Sequence, residues 1–241
     1  MRLVGSELLK LRTTPRTVLG LLLALLAIIV LGSIGTLASA DGVPGQITLL
    51  DVLSIAQFAD IFALILGVLV VTWEYRHDTI TQTFLIVPRR EQVIAAKAAA
   101  AVTTGIVLAV VSVGVALTFA FAWIGGDPGV SFDGDVWERA ARLVLSSGLY
   151  GALGVGLGAI VRSQALAIVL VFVWFLVVEP LVTGLYDEVG RYLPGAAITE
   201  LAGQSGSEPH LGIGMAVTMA LLYCIGFPVL GAILTVRRDV T

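Results

Sequence analysis

Residues 17–37 read TVLGLLLALLAIIVLGSIGTL, and no charged side chain interrupts them. A helix rises about 1.5 Å per residue, so a run of this length crosses a hydrocarbon core roughly 30 Å thick. Five more runs of this kind follow, at approximately 52–72, 96–123, 143–161, 165–184 and 211–236. Backbone groups in lipid must pair internally, and the runs lack the period-2 alternation of barrel strands. The expected fold is all-α: a polytopic membrane protein of six transmembrane helices forming a single transmembrane domain over 1–241.

Composition leads to the same class. Of the 241 residues 58% are hydrophobic and only 13% charged, with mean hydropathy +1.01. A soluble domain of this size needs a charged surface, which this chain cannot supply. The net charge of -3 matters less than where the charges lie. Arg2, Lys10, Arg12 and Arg16 precede the first run. Arg76, Arg89, Arg90 and Lys97 follow the second, Arg162 follows the fourth, and Arg237 and Arg238 follow the sixth. The opposite side holds only Arg139, Arg142 and Arg191. The positive-inside rule then puts both ends in the cytoplasm. The start also resembles a secretory signal, with Ala38-Ser39-Ala40 as a small-x-small site. Its apolar stretch is longer than the usual signal core, so an uncleaved first span is expected.

Two polar segments flank the early runs. Residues 1–15, MRLVGSELLKLRTTP, place Met1, Val4, Leu8 and Leu11 on one side of a helix and Arg2, Ser6, Lys10 and Thr13 on the other, with Leu9 out of pattern. This reads as an interfacial amphipathic helix ended by Pro15; a frayed basic tail that only sets topology is the alternative. The loop at 74–95 follows Trp73, which with Tyr75 suits the membrane interface. Thr79 and Gln82 have the form of a capping box. Ile80, Phe84 and Val87 share one side of the short helix that would follow, and Pro88 ends it. Such an exposed apolar side needs a partner or the membrane surface.

Polar and small residues inside the spans are the remaining candidates. Asp60 lies in the second run with Gln57 on the same side. A carboxylate in a span costs about 2.5–3.5 kcal/mol at the helix centre on insertion scales, so it faces protein or water. It reads either as a wall of a translocation path or as a hydrogen-bonded packing residue. Glu179, beside Pro180 near an outer helix end, reads more simply as packing. In the fourth run Gly154 and Gly158 form a GxxxG, preceded by Gly151 and Ser147. That stripe serves either packing within the chain or dimerisation. Pro228 lies inside the sixth run and predicts a kink. Cys224 stands alone, so no intrachain disulfide forms.

No GxxxxGK[ST], HExxH or GxSxG occurs, and His77 and His210 fall on opposite predicted sides. No catalytic residue and no metal site is therefore expected.

The run Glu74-x-Arg76-x-x-Thr79-Ile80-x-x-Thr83, followed by Pro88-x-Arg90 and Ala96-Lys97, resembles the membrane subunits of bacterial ABC-2 type exporters. The opening SELLKLRTTPRT (residues 6–17) is similar to their N-terminal elbow helix. The resemblance implies that residues around Thr79–Val87 form a coupling helix docking on a cytoplasmic ATPase. The coupling residues would be Glu74, Arg76, Thr79, Ile80, Thr83, Phe84, Pro88 and Arg90. It implies a re-entrant segment at 185–210, a second permease subunit, identical or paralogous, and ATP and Mg bound by the partner ATPase and not by this chain. The expected setting is the bacterial inner membrane, with the lipid bilayer as solvent and no nucleic acid as partner. The expected activity is export of a lipophilic or amphiphilic substrate (a drug, antibiotic, lipid or peptide) by alternating access, with Gln57 and Asp60 on the path. A self-sufficient secondary transporter or channel using Asp60 as an ion or proton site is the alternative, and a membrane-embedded enzyme a weaker third.

Overall fold

The computed structural model describes residues 2–13, 15–38, 49–87, 89–124, 133–203 and 211–237. Among these the regular secondary structure is all helix, with no strand. Six helices are long and apolar enough to cross a membrane: Thr17–Ala38, Leu49–Arg76, Arg90–Trp123, Gly134–Val161, Gln164–Leu185 and Ile213–Thr235. In finer detail the chain begins with α1 (Arg2–Thr13) and α2 (Pro15–Ala38), followed by α3 (Leu49–Ile55), α4 (Phe58–Arg76) and the short α5 (Ile80–Ile86). The long helices α6 (Arg90–Ile124) and α7 (Gly134–Val161) come next. Then come α8 (Gln164–Val173), a π-helical turn (Trp174–Val178), α9 (Glu179–Leu185), α10 (Asp187–Gly190), α11 (Pro194–Leu201) and α12 (Ile213–Arg237).

Burial ranks the spans. The span ending in α4 is 61% buried in its most apolar window and α7 is 67% buried, against 17% for the first and fifth spans and 22% for the sixth. So α4 and α7 are the axis and the others present leucines and valines to lipid, as at Leu31, Leu176 and Leu222. Lipid gives apolar helices little reason to associate, so close backbone approach must do so. The small residues of α7 supply it. A Cβ on Gly151 would strike the Ala101 carbonyl of α6 at 2.6 Å, and one on Gly158 the Val68 carbonyl of α4 at 2.9 Å. Gly154 lies against the Leu64 carbonyl and Gly67 against that of Gly151. The glycine stripe therefore packs within the chain. On its other side α7 meets the proline of α12: a Cβ on Gly156 would lie 2.6 Å from the Pro228 nitrogen. The Phe227 Cβ and carbonyl carbon lie as close, at 2.5 Å, and α12 runs on through Pro228.

Two spans depart from the uniform helices the runs predict. The second is tightened at Ala56–Gln57, where the Ala59 N–H donates to the Ala56 carbonyl (3.0 Å) and the Asp60 N–H to that of Gln57 (2.9 Å). These i→i−3 bonds are 3₁₀ geometry. Asp60 thus occupies the first turn of α4, the end of a helix that favours a carboxylate. The fifth span widens into its π turn just before Pro180. Proline has no N–H for the residue four back and its ring clashes with that carbonyl; a wider turn relieves both.

Candidate functional site

Two constellations stand at opposite ends of the α4–α7 axis. The first lies where α4 ends and α5 begins. His77 closes α4, stacked on Trp73 with ring centroids 4.8 Å apart and its Nδ1 2.9 Å from the Trp73 carbonyl. Asp78 then takes a left-handed φ of 53°, which aspartate tolerates better than most residues. The Thr79 N–H donates back to the Glu74 carbonyl at 3.0 Å, reversing the chain into α5.

Glu74 faces inward from that turn and enters a closed ring of four charges. The Lys10 ammonium lies 2.6 Å from Glu7 Oε1 and 2.7 Å from Glu74 Oε1. That of Lys97 lies 2.7 Å from Glu7 Oε2 and 2.9 Å from Glu74 Oε1. Lys97 has no exposed surface, and its third hydrogen bond goes to the Val70 carbonyl at 3.1 Å. All three ammonium donors are thus used. The Thr83 hydroxyl lies 3.4 Å from Glu74 Oε2 and 3.4 Å from the Thr79 carbonyl, a shared contact that brings α5 to the ring. Lone buried charges at this depth are costly, and paired ones pass only if their hydrogen bonds are complete. Here two carboxylates and two ammoniums alternate, and the sum is zero. Burial alone would pull the Lys10 ammonium pKa down, but the hydrogen bonds and charges of Glu7 and Glu74 outweigh it and hold it above 10.5.

Arginines fasten the neighbouring helix ends. Arg90 Nη1 donates to the Thr235 carbonyl at 2.8 Å and Arg162 Nη2 to that of Leu234 at 3.2 Å. Both cations sit on the open carbonyls of the last turn of α12, where the helix dipole favours positive charge. Arg162 also lies over the Tyr75 ring at 5.4 Å, and Arg76 Nη1 donates to Gln164 Oε1 at 3.1 Å.

Placed on this frame, the residues of the 74–95 loop separate. Glu74 and Thr83 belong to the charge ring, Arg76 bonds to the start of α8, and Arg90 bonds to α12. The capping box does not form. Thr79 precedes α5 without a side-chain cap, and its hydroxyl points to the Glu74 carbonyl at 3.5 Å. Ile80 is only 2% exposed, so it is not part of an outward apolar side: the helix turns it inward. The Phe84 side chain and Pro88 lie outside the described residues. Among the described side chains of α5, those facing outward are Leu85, 80% exposed, with Thr81 and Gln82. Sequence reasoning missed Glu7, Lys97 and Leu85 for this site. Glu7 carried a signal, as the lone acid ahead of Asp41, and so did Lys97, one of the chain's two lysines, both of which join the ring.

The second constellation is a cavity of about 770 Å³ walled by α3, α4, α7, the fifth span, α10 and α11. Gln57 and Asp60 both line it. Asp60 is 3% exposed. The Ser146 hydroxyl lies 3.1 Å from both its oxygens and 2.9 Å from the Leu143 carbonyl, and Oδ1 accepts the Ser147 hydroxyl. Glu179, also in the wall, is buried: Oε1 accepts the Ala196 N–H at 2.5 Å in the first turn of α11. A carboxylate there meets the positive end of the helix dipole, so Glu179 holds the fold of the 187–201 segment against the fifth span. Tyr223 adds a hydroxyl bond to the Tyr192 carbonyl at 2.8 Å. Residues 204–210 of the expected re-entrant segment lie outside the described residues.

A family model described as ABC-2 family transporter protein matches residues 3–182, from α1 to near the end of the fifth span. No curated protein matches the chain. The match covers more than half of a six-span helical chain, and the family is one of membrane transport components rather than catalysts. The chain belongs to the ABC-2 family of transporter proteins, as a multi-pass membrane permease component of an ABC transporter.

Proposed function

We propose that this chain is the permease subunit of an ATP-driven exporter in the bacterial inner membrane, with both ends cytoplasmic. It pairs with a second permease, identical or paralogous, and with cytoplasmic ATPase subunits that bind ATP and Mg. In this reading α5 is the coupling helix and α1 the elbow helix. ATP binding closes the ATPases and pushes α5, and the paired permeases rock so that a path for a lipophilic or amphiphilic substrate changes access.

The observation that carries the reading is the contact from Thr83 on α5 to Glu74, and through it to the charge ring that clamps α1, α4 and α6. A push on α5 reaches the ring through the Thr83–Glu74 contact and the turn at Thr79, and from there three helices at once through the short ion pairs. Leu85, the most exposed apolar group of α5 among the described side chains, is the surface offered to the ATPase. Glu74, Thr79, Ile80, Thr83, Arg76 and Arg90 act behind it, holding α5 in place.

The test is a gentle detergent extraction of the native complex, comparing wild type with Leu85→Asp. A P-loop ATPase that co-purifies with wild type and is lost from the variant, at unchanged melting temperature, is the expected result. Ile80→Asp would be a poor probe, because that side chain is buried. If no ATPase accompanies wild type, the exporter reading fails. The self-sufficient carrier using Asp60 then takes its place, its support being the doubly hydrogen-bonded carboxylate on a cavity wall. Uptake by the purified protein alone, abolished in Asp60→Asn, would establish it.

A further inference from the structure

We infer that the cavity between α4 and the fifth span is a binding site for amphiphilic cations, compounds with an aromatic or aliphatic body and a protonated amine. The inference rests on the permease reading and narrows its substrate class.

Size comes first. About 770 Å³ lies within the range of roughly 300–1,000 Å³ that takes a drug-sized molecule. The walls come next. Phe58, Phe172, Phe175 and Tyr150 line it, and ring faces attract cations while their bodies bury apolar groups.

Charge decides the sign. Asp60, Glu179, Asp187 and Glu200 line the cavity, against the single basic side chain Arg191. The Arg191 guanidinium lies over the Tyr192 ring at 5.2 Å. Asp60 meets serine hydroxyls and no cation among the described residues. Glu179 is 5% exposed and, among the described residues, faces neutral donors only, the Ala196 and Gly195 N–H groups and the Trp174 side chain; its Oε2 has no partner that meets strict hydrogen-bond geometry. A buried carboxylate oxygen left unpaired is costly. Elsewhere in this protein buried acids are matched: Glu7 and Glu74 each face two lysines. The cavity is where carboxylates are buried and the cation is missing, beside aromatic rings that suit one.

Equilibrium dialysis on the purified full-length protein in neutral detergent, against protein-free micelles, tests this with two probes of one body and opposite charge. These are 1-naphthylethylammonium and 1-naphthylacetate. Wild type should bind the cation at least about tenfold more tightly than the anion, and Asp60→Asn should remove that preference. Because Asp60→Asn removes a buried charge, the paired change Asp187→Asn with Glu200→Gln at the cavity rim serves as the second, fold-sparing variant. It should weaken the cation severalfold and leave the anion unchanged. Equal binding of the two probes by wild type, or a preference untouched by both variants, would overturn the inference. Co-purification of the ATPase is scored on the same preparations. An ATPase present with no cation preference refutes the ligand class alone, whereas a cation preference with no ATPase supports the site and refutes the exporter.

Discussion

At the level of single residues, Lys97 is the position whose loss should matter most. It has no exposed surface, and its ammonium bonds to Glu7, Glu74 and the Val70 carbonyl. Lys97→Met would leave two buried carboxylates sharing Lys10. Breaking a buried pair from one side costs about 3–5 kcal/mol, since the remaining charge is uncompensated. A large fall in melting temperature is expected in detergent or nanodiscs. Adding Glu7→Gln removes one negative charge and should recover a substantial part of it, a coupling that a double-mutant cycle reads directly. Lys10 responds differently because it is half exposed. Its pKa is held above 10.5, so its contribution is complete below the ordinary lysine value and is lost only as pH climbs through the raised one. Melting curves of wild type and Lys10→Met should therefore run parallel from about pH 6 to 9 and converge only in stronger alkali.

At the level of elements, glycine separates packing from filler. Gly154 faces the Leu64 carbonyl across the α4–α7 contact, while Gly114 on α6 has nothing within 4 Å. Gly154→Ala must push the two axial helices apart, at a cost of about 1–3 kcal/mol. Gly114→Ala should be neutral or stabilising by up to about 1 kcal/mol. Thermal unfolding of the two variants checks both. The contrast also marks what the sequence could show. The spans were legible because length and hydropathy report directly on the bilayer, and the stripe Ser147–Gly151–Gly154–Gly158 was legible as a close-packing face. Whether that face met its own chain or another was not, because the backbone that fills it comes from α4 and α6, distant in sequence. The same applies to Asp60. Its burial cost announces a partner, but nothing local names Ser146 and Ser147, more than eighty residues away. In α5 the apolar spacing of Ile80, Phe84 and Val87 was real, but period alone does not say which side faces in. The turn at Asp78 decides that, and it turns Ile80 inward and Leu85 outward.

At the level of the whole molecule, the two constellations occupy the two ends of one axis. The charge ring and the arginines on α12 gather at the α5 end. The cavity, walled in part by α10 and α11, lies at the other. The proposed exporter needs this separation, with the proposed receiver of the ATPase push on one side and the proposed outer wall of the path on the other. The arrangement makes the orientation testable by chemistry. Cys224 is 6% exposed and bonds to the Leu149 carbonyl, so Cys224→Ser supplies a thiol-free background that keeps a hydrogen-bond donor. Leu85 and Tyr186 are 80% and 66% exposed at the two ends, and each can carry a single cysteine without touching the core. A membrane-impermeant maleimide applied to intact spheroplasts should label Tyr186→Cys at once and Leu85→Cys only after lysis. The basic residues concentrated at the α5 end require this, since positively charged loops stay on the cytoplasmic side. The reverse pattern would put α5 outside the cell, beyond the reach of any cytoplasmic ATPase. No push on Leu85 could then drive the charge ring, and the coupling role of α5 would have to be given up together with the topology.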